Sequence, residues 1–539
     1  MVSRWLLFSS NRFILFFGMK LSPRNYNIIF HLHTVSGIVL SAALFIIFFA
    51  GAFTLFKGEF YLWENPTARR IYVSEPQLDE VIQGISKLKP DFDWNDDTYL
   101  TFAQKDYPLM QVYGHLHVPE GELHYEGKWL PNTGELLENP PSTTGQTLYK
   151  LHYFAQIPYV GMWLAGFVSL FFIFAIITGV IIHWNNIWTK FWSFSLKGAW
   201  KQIWTNSHTV FGLLGLPYQF MYAVTGAFYL LLLLALLPAV MFFYEGKPEK
   251  VYALAYPMYG VEYNEEALTL RTPLSVQSAY ERVVQDYGKD YKILAVQTHH
   301  LLKEDGVANF RLVSKDPHRF ISNGYVGYRL KDLEVIYSAM PSTKFSYAFV
   351  EGIMQLHFAS FGGWMIKGIY FLLALFSCFV FVSGILIWKE ARKYSRYTLK
   401  QQNFHARTTQ IFLSICFSLF PAVALLFSMD LIVPSGENHA KNVNLVFFLF
   451  WLVWSVISYF SGNEAKSFRL NLFAGGVLGL CVPLSNGFTT GDWVWNSPLP
   501  MVLATDIAWL TFSIISGVMA FTVGHGKPTS IPPYRQSAT

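Results

Sequence analysis

Residues 33–53 read HTVSGIVLSAALFIIFFAGAF and residues 208–228 read HTVFGLLGLPYQFMYAVTGAF. The two stretches align without a gap, open on the same His-Thr-Val and close on the same Gly-Ala-Phe. Each is an apolar run headed by a histidine and long enough to cross a bilayer core, which takes about 20 apolar residues as a helix. In hydrocarbon a chain must satisfy its backbone polar groups internally, so such a run is helical. A histidine-headed span that occurs twice commits the chain to a helical bundle with internal symmetry.

The even-numbered spans repeat as well. One reads LHYFAQIPYVGMWLAGFVSLFFIFAIITGVIIHW from Leu151, the other LHFASFGGWMIKGIYFLLALFSCFVFVSGILIWK from Leu356. His152 corresponds to His357, and Gly179 and Gly384 follow their histidines at the same distance. The first part of the chain is thus a tandem duplication: span, polar insert, span, and then the same again. An even number of crossings per copy makes the repeat parallel, with its axis along the membrane normal.

Spans and polar segments alternate in an order that fixes the domain organisation. Residues 1–26 form a cytoplasmic segment in which no signal-peptide cleavage site is evident and Met19 is an alternative start. Spans follow at 27–56, 148–184, 207–244 and 347–389. Two outer inserts occupy 57–147 and 245–346. Each has an amphipathic helix (Leu78–Leu88; Ser275–Asp286) followed by β-like runs, which predicts a small α+β domain. Residues 185–206 and the basic loop 390–407 lie inside. Four more spans fill 408–524, and 525–539 is a cytoplasmic tail. Lysine and arginine gather in the short inner loops, which places both termini in the cytoplasm.

The predicted fold class is therefore an all-α polytopic membrane protein of about eight transmembrane helices, with a duplicated four-helix core and two small α+β domains. Composition agrees: 53% of the 539 residues are hydrophobic and only 14% are charged, against about a quarter charged in soluble domains. The net charge of +5 gives no reason to expect a nucleic-acid partner. Cys378, Cys416 and Cys481 all fall in apolar runs and form neither a disulfide framework nor a zinc-ligand pattern. No C-x-x-C-H is present, which excludes covalently attached haem.

Span order gives depth. His33 and His208 open spans that start inside, so they lie near the inner face. His152 and His357 open spans that start outside. The symmetry axis brings each pair across the bundle, giving two histidine pairs one above the other. Bis-histidine haem uses facing imidazoles of this kind for electron transfer, so the pattern predicts two non-covalent haem b groups on His33/His208 and His152/His357. Gly37 and Gly212, four residues after their histidines, are small enough to let a macrocycle approach. A zinc site, a proton relay, or interfacial hydrogen bonding are the other uses of such histidines. His183 is a second candidate for the inner level, and His31 points to a different helix face. Lys367, inside a span, is a candidate contact for a haem propionate or a side chain that snorkels to the surface.

His115, His117, His124, His299, His300 and His318 belong to the inserts and read as solvated polar residues. His115 and His117 would share one face of a strand, as a metal pair would; His299 and His300 would diverge. No phosphate loop, dinucleotide fingerprint or nucleophile motif appears. The last four spans read as structural or as a partner surface.

These residues resemble a known family. H-T-V-x-G opening the odd spans, T/S-G near span ends (Thr178-Gly179, Thr225-Gly226, Ser383-Gly384) and L-H opening the even spans (Leu151-His152, Leu356-His357) are similar to the PepSY-associated transmembrane proteins of bacterial inner membranes. The likeness covers about residues 25–400. It implies that the outer inserts are periplasmic PepSY modules and that the four histidines hold haem. Members of the family include dihaem reductases of ferric siderophores, so the resemblance implies periplasmic reduction of a ferric siderophore with release of Fe(II) for uptake. The fused flavin reductase domain of some relatives is missing here, so the donor would be a membrane quinol or a separate cytoplasmic flavin reductase. The rival reading is a non-enzymatic accessory or transport subunit whose outer domains bind a chelate, peptide or protein.

Overall fold

The computed structural model describes residues 21–522 apart from 71–74, 105–108, 120, 132, 139–142, 193, 196–197, 265, 317, 341–344, 394–396, 437 and 498. The predicted start at Met1 or Met19, most of the N-terminal segment and the tail 525–539 lie outside the described residues. Among the described residues, eight helices are long and apolar enough to cross a membrane, and the chain is a polytopic membrane protein.

Helix α1 (Pro23–Thr54) starts where Ser22 accepts a hydrogen bond from the Asn25 amide and Pro23 pre-sets the first turn. The short α2 (Lys57–Glu64) follows. Helix α3 (Leu78–Leu88) belongs to the first insert. The next span is broken rather than continuous. Helix α4 (Thr144–His152) ends on its histidine, residues 153–160 turn, and α5 (Gly161–His183) crosses. The third span divides into α6 (Trp200–Leu214) and α7 (Leu216–Phe243) at Gly215, because Pro217 cannot continue the ladder of amide donors. Helix α8 (Val276–Tyr287) belongs to the second insert. The fourth span repeats the break, with α9 (Phe345–Phe358) and then α10 (Gly363–Glu390). Both breaks carry a left-handed non-glycine residue two positions after the histidine, Phe154 at φ 59° and Ala359 at φ 51°. Such backbone is costly and persists only where its surroundings enforce it.

Four spans close a ring: α1 packs on α5 and α10, α5 on α7, and α10 on α6. The C-terminal helices α11 (Leu399–Ile432), α12 (His439–Phe460), α13 (Glu464–Thr490) and α14 (Pro500–Thr522) form a second bundle around α11, which also reaches α1 and α10. Phe53, Phe427 and Trp509 join the two bundles in one apolar core.

The sequence predicts two separate small domains, and the structure corrects this. The strands of the inserts are β1 (Thr98–Thr101), β2 (Met110–Val118), β3 (Gly121–Leu130) and β4 (Glu135–Glu138), then β5 (Tyr291–His299), β6 (Val307–Ser314), β7 (Asn323–Arg329) and β8 (Val335–Ala339). All eight form one antiparallel sheet in the order β4-β3-β2-β1-β5-β6-β7-β8. The seam is β1 against β5, with Thr98 opposite Thr298 and Leu100 opposite Val296. These are the equivalent first strands of the two inserts, so a two-fold axis runs between them. A lone four-stranded insert would expose its first strand as an unpaired edge; pairing the two copies removes both edges.

Helices α3 and α8 cover one face of the sheet through Leu78, Ile82, Ile85, Val276, Ala279 and Val283. They cap one another. The Asp79 carboxylate accepts from the Val276 amide (2.9 Å), the Gln277 amide (3.0 Å) and the Ser275 hydroxyl (2.7 Å). In return, the Gln277 side chain accepts from the Leu78 amide (2.9 Å).

Candidate functional site

Each of the four duplicated histidines sits against a glycine or a hydroxyl on a neighbouring span, and each is held by its Nδ1. His33 Nδ1 lies 2.9 Å from the Ala175 carbonyl. His152 Nδ1 lies 2.8 Å from the Ile47 carbonyl. His208 Nδ1 lies 3.0 Å from the Val380 carbonyl and 3.1 Å from the Ser383 hydroxyl. His357 Nδ1 lies 2.8 Å from the Thr225 hydroxyl, which donates its own proton to the Met221 carbonyl. A carbonyl can only accept, and the Thr225 hydroxyl has spent its proton. In every case the proton therefore resides on Nδ1 and Nε2 keeps its lone pair. A second hydrogen bond that fixes ring and tautomer is how proteins prepare an imidazole to bind a metal.

The rings meet in the predicted pairs. The centroids of His33 and His208 are 6.4 Å apart, and those of His152 and His357 are 6.1 Å apart. An imidazole bonds a metal ion at about 2.0–2.1 Å, so two on opposite sides of one ion have ring centroids about 6 Å apart. Both pairs meet that spacing. The groups of three or more metal-ligating side chains found among the described residues lie elsewhere, so each level offers a pair of imidazoles rather than the tetrahedral set a structural zinc wants. The residues present fit haem.

The seats explain a pattern that the sequence shows without revealing its role. Three acceptor carbonyls each precede a glycine by four residues: Ile47 and Gly51, Ala175 and Gly179, Val380 and Gly384. Four residues is one helical turn, so carbonyl and glycine face the same neighbour. A Cβ on Gly51 would stand 2.7 Å from His152 Nδ1, and one on Gly179 would stand 2.9 Å from His33 Cε1. The T/S-G dipeptides of the sequence are thus histidine seats: Thr178-Gly179 for His33, Ser383-Gly384 for His208 and Thr225 for His357. By contrast, a Cβ on Gly37 or Gly212 would meet nothing within 4 Å, so both leave open space beside their helices.

A cavity of about 420 Å³ adjoins the His152/His357 level and is lined by both histidines, Gly51, Ala223 and the tyrosines 149, 153, 218, 222 and 229. Tyr222 donates to the His357 carbonyl at 2.8 Å. Both levels are seated along α1, whose stretch from His33 to the seat at Gly51 rises about 27 Å at 1.5 Å per residue. Between them Phe48, Phe172 and Phe381 meet in a triangle with centroid separations of 5.8, 5.4 and 5.6 Å.

The remaining candidates are placed as follows. His183 ends α5 close enough to His208 for their charges to interact, and the His33 ring meets the His208 ring at the same level. His31 is exposed beside Phe30. Lys367 is paired with a carboxylate, Glu59 Oε1, at 2.5 Å.

Helix α4 delivers His152, and its other end is fixed by two buried carboxylates. Glu64 accepts from the Thr143 amide (3.0 Å) and the Gly145 amide (2.6 Å), and Asp430 accepts from the Thr144 amide (2.9 Å). Asp430 also meets His439 Nε2 at 2.8 Å. Burial, and then the nearby Asp430, push the Glu64 carboxyl well above the usual carboxylate range. His152 is therefore positioned in part from the C-terminal bundle, a link that no sequence motif announces.

The family model described as the PepSY-associated TM region matches residues 30–391. A search among curated proteins finds no match.

Proposed function

The chain belongs to the PepSY-associated transmembrane family, and on that premise we propose that it is a haem b oxidoreductase of the bacterial inner membrane. It passes electrons from a quinol or a cytoplasmic flavin reductase, through two stacked levels, to a periplasmic acceptor, a ferric siderophore. The observation that carries this reading is the set of four imidazoles, each with its proton fixed on Nδ1 and paired with ring centroids 6.4 and 6.1 Å apart, which would hold haem between them. Haem held there would supply one-electron chemistry without proton transfer at the iron.

The chain's own residues bind, orient and exclude water. The Ala175, Ile47 and Val380 carbonyls and the Thr225 hydroxyl hold the rings and raise their basicity as ligands. Phe48, Phe172 and Phe381 keep the space between the levels apolar. In this reading the eight-stranded sheet stands on the periplasmic side and holds the chelate, and reduction weakens the grip of hard oxygen ligands on the iron.

The test is haem content and ferric chelate reduction in His152→Ala and His357→Ala. Each is expected to lose about half the bound haem, as removal of one of two bis-histidine levels requires, and to lose reduction of a ferric hydroxamate assayed with a ferrous trap. Full haem and full reduction in both variants would sink the assignment.

A further inference from the structure

We propose that the sheet carries a binding site for a divalent transition-metal ion of the zinc or ferrous class, with His299, Asp96 and Asp97 as donors. This does not rest on the haem reading, since it involves none of the same residues.

The site is made by the seam between the inserts. Side chains alternate along a strand, so β2 presents His115 and His117 on one face, and β3 sets His124 opposite His115 and Glu122 opposite His117. The segment before β1 runs along the other side of β2: the Asp93 amide donates to the His115 carbonyl (2.9 Å) and the His117 amide to the Asp91 carbonyl (2.8 Å). That brings the carboxylates of residues 93–97 beside the histidine rings. Because β5 pairs with β1, its last residue, His299, arrives from the second copy at the same place. One ligand atom from each of Asp96, Asp97 and His299 lies within 4.8 Å of the others. The next three residues of this type, Asp93, His117 and Glu122, form a second such group, but His117 is 63% exposed there. The first group has the better enclosed imidazole, with the His299 side chain 18% exposed beside an Asp97 that is 58% exposed.

The state of the His299 ring points to an ion. His299 Nδ1 stands 3.3 Å from Asp97 Oδ1, while His115 flanks the group and pairs with Asp96 at 2.7 Å. The His299 nitrogen is buried and has no aligned hydrogen-bond partner. Buried polar atoms in that condition call for an explanation. Two donors bound to one ion at about 2.0–2.2 Å each sit about 3 Å apart with lone pairs converging and no proton between them. Tyr263 lies tilted against the His299 ring with centroids 3.9 Å apart and holds it in place. His300 does not join, although its ring stacks on His299 at 4.5 Å instead of diverging as on a regular strand. Its φ of +54° ends the strand, and its Nδ1 is engaged by Asp305 at 2.9 Å. An imidazole with two carboxylates favours zinc, ferrous or manganous ions over magnesium and calcium, which prefer all-oxygen sites.

The experiment uses full-length protein in detergent, stripped with a chelator and titrated with Zn²⁺ alone. One saturable zinc per chain is expected, lost in His299→Ala and in Asp97→Asn and kept in His318→Ala. Asp97→Asn keeps the test decisive if His299→Ala does not fold. No saturable zinc, unchanged zinc in the two site variants, or loss in His117→Ala alone would each overturn the proposal.

Discussion

If the histidine pairs hold haem as proposed, replacing Gly51 by valine is expected to empty the His152/His357 level and leave the His33/His208 level filled. The first added carbon would stand 2.7 Å from His152 Nδ1 and 2.8 Å from Cε1, distances that force one group to move. The helix backbone of α1 is held on both sides by α5 and α10, so the ring moves, breaks its bond to the Ile47 carbonyl and loses its aim. Overpacking of this kind costs about 1–3 kcal/mol, well within what a membrane bundle survives, so folding is retained while haem falls by about half. Gly179→Val should do the same at the His33/His208 level, through His33. Gly384→Ala is the control: its Cβ would come no nearer than 3.4 Å to His208, ordinary contact, and haem should stay full. Haem per chain in the three variants checks the set. Equal loss in all three, or in none, would show that the glycines are not seats.

Arg69→Ala is expected to give the largest loss of stability. The guanidinium is fully buried and links the first insert to the C-terminal bundle. It donates to the Leu62 carbonyl (2.8 Å), the Trp63 carbonyl (2.6 Å), Asn486 Oδ1 (2.9 Å) and Asp492 Oδ2 (2.8 Å). Asn486 in turn donates to Asp506, which also receives the Trp63 indole N–H. Removing the cation takes the Arg69 ion pair from Asp492 and a donor from each of two carbonyls. Breaking a buried pair from one side costs about 3–5 kcal/mol. Lysine should restore little, because it cannot reproduce the planar fork that serves these acceptors and the Thr490 hydroxyl (3.2 Å) together. Thermal unfolding in detergent measures the effect; a midpoint equal to that of the unaltered protein would mean that the network contributes nothing to the joint.

What could be read from the sequence follows from range. Eight spans are legible because a bilayer demands long apolar runs, and the duplication is legible because it aligns residue by residue. The pairs His33/His208 and His152/His357 follow from duplication plus span order, and the structure brings both together. The seats were not legible: Gly51, Gly179 and Gly384 are ordinary small residues in spans until the neighbouring helix supplies a ring. Nor were the breaks after His152 and His357, where Phe154 and Ala359 take backbone that their residue types disfavour. The seam between β1 and β5 joins residues about 200 positions apart, beyond any local pattern, so the inserts read as two domains rather than one sheet. Asp430 and Glu64 look like loop or span-end charges until helix α4 is placed against them.

The most direct test of the central claim is a reduced-minus-oxidised absorption spectrum of the purified full-length protein, with haem counted per chain. Two non-covalent b-type haems per chain, both reducible, is the predicted result. A protein that is folded and shows no reducible b-type bands would contradict it.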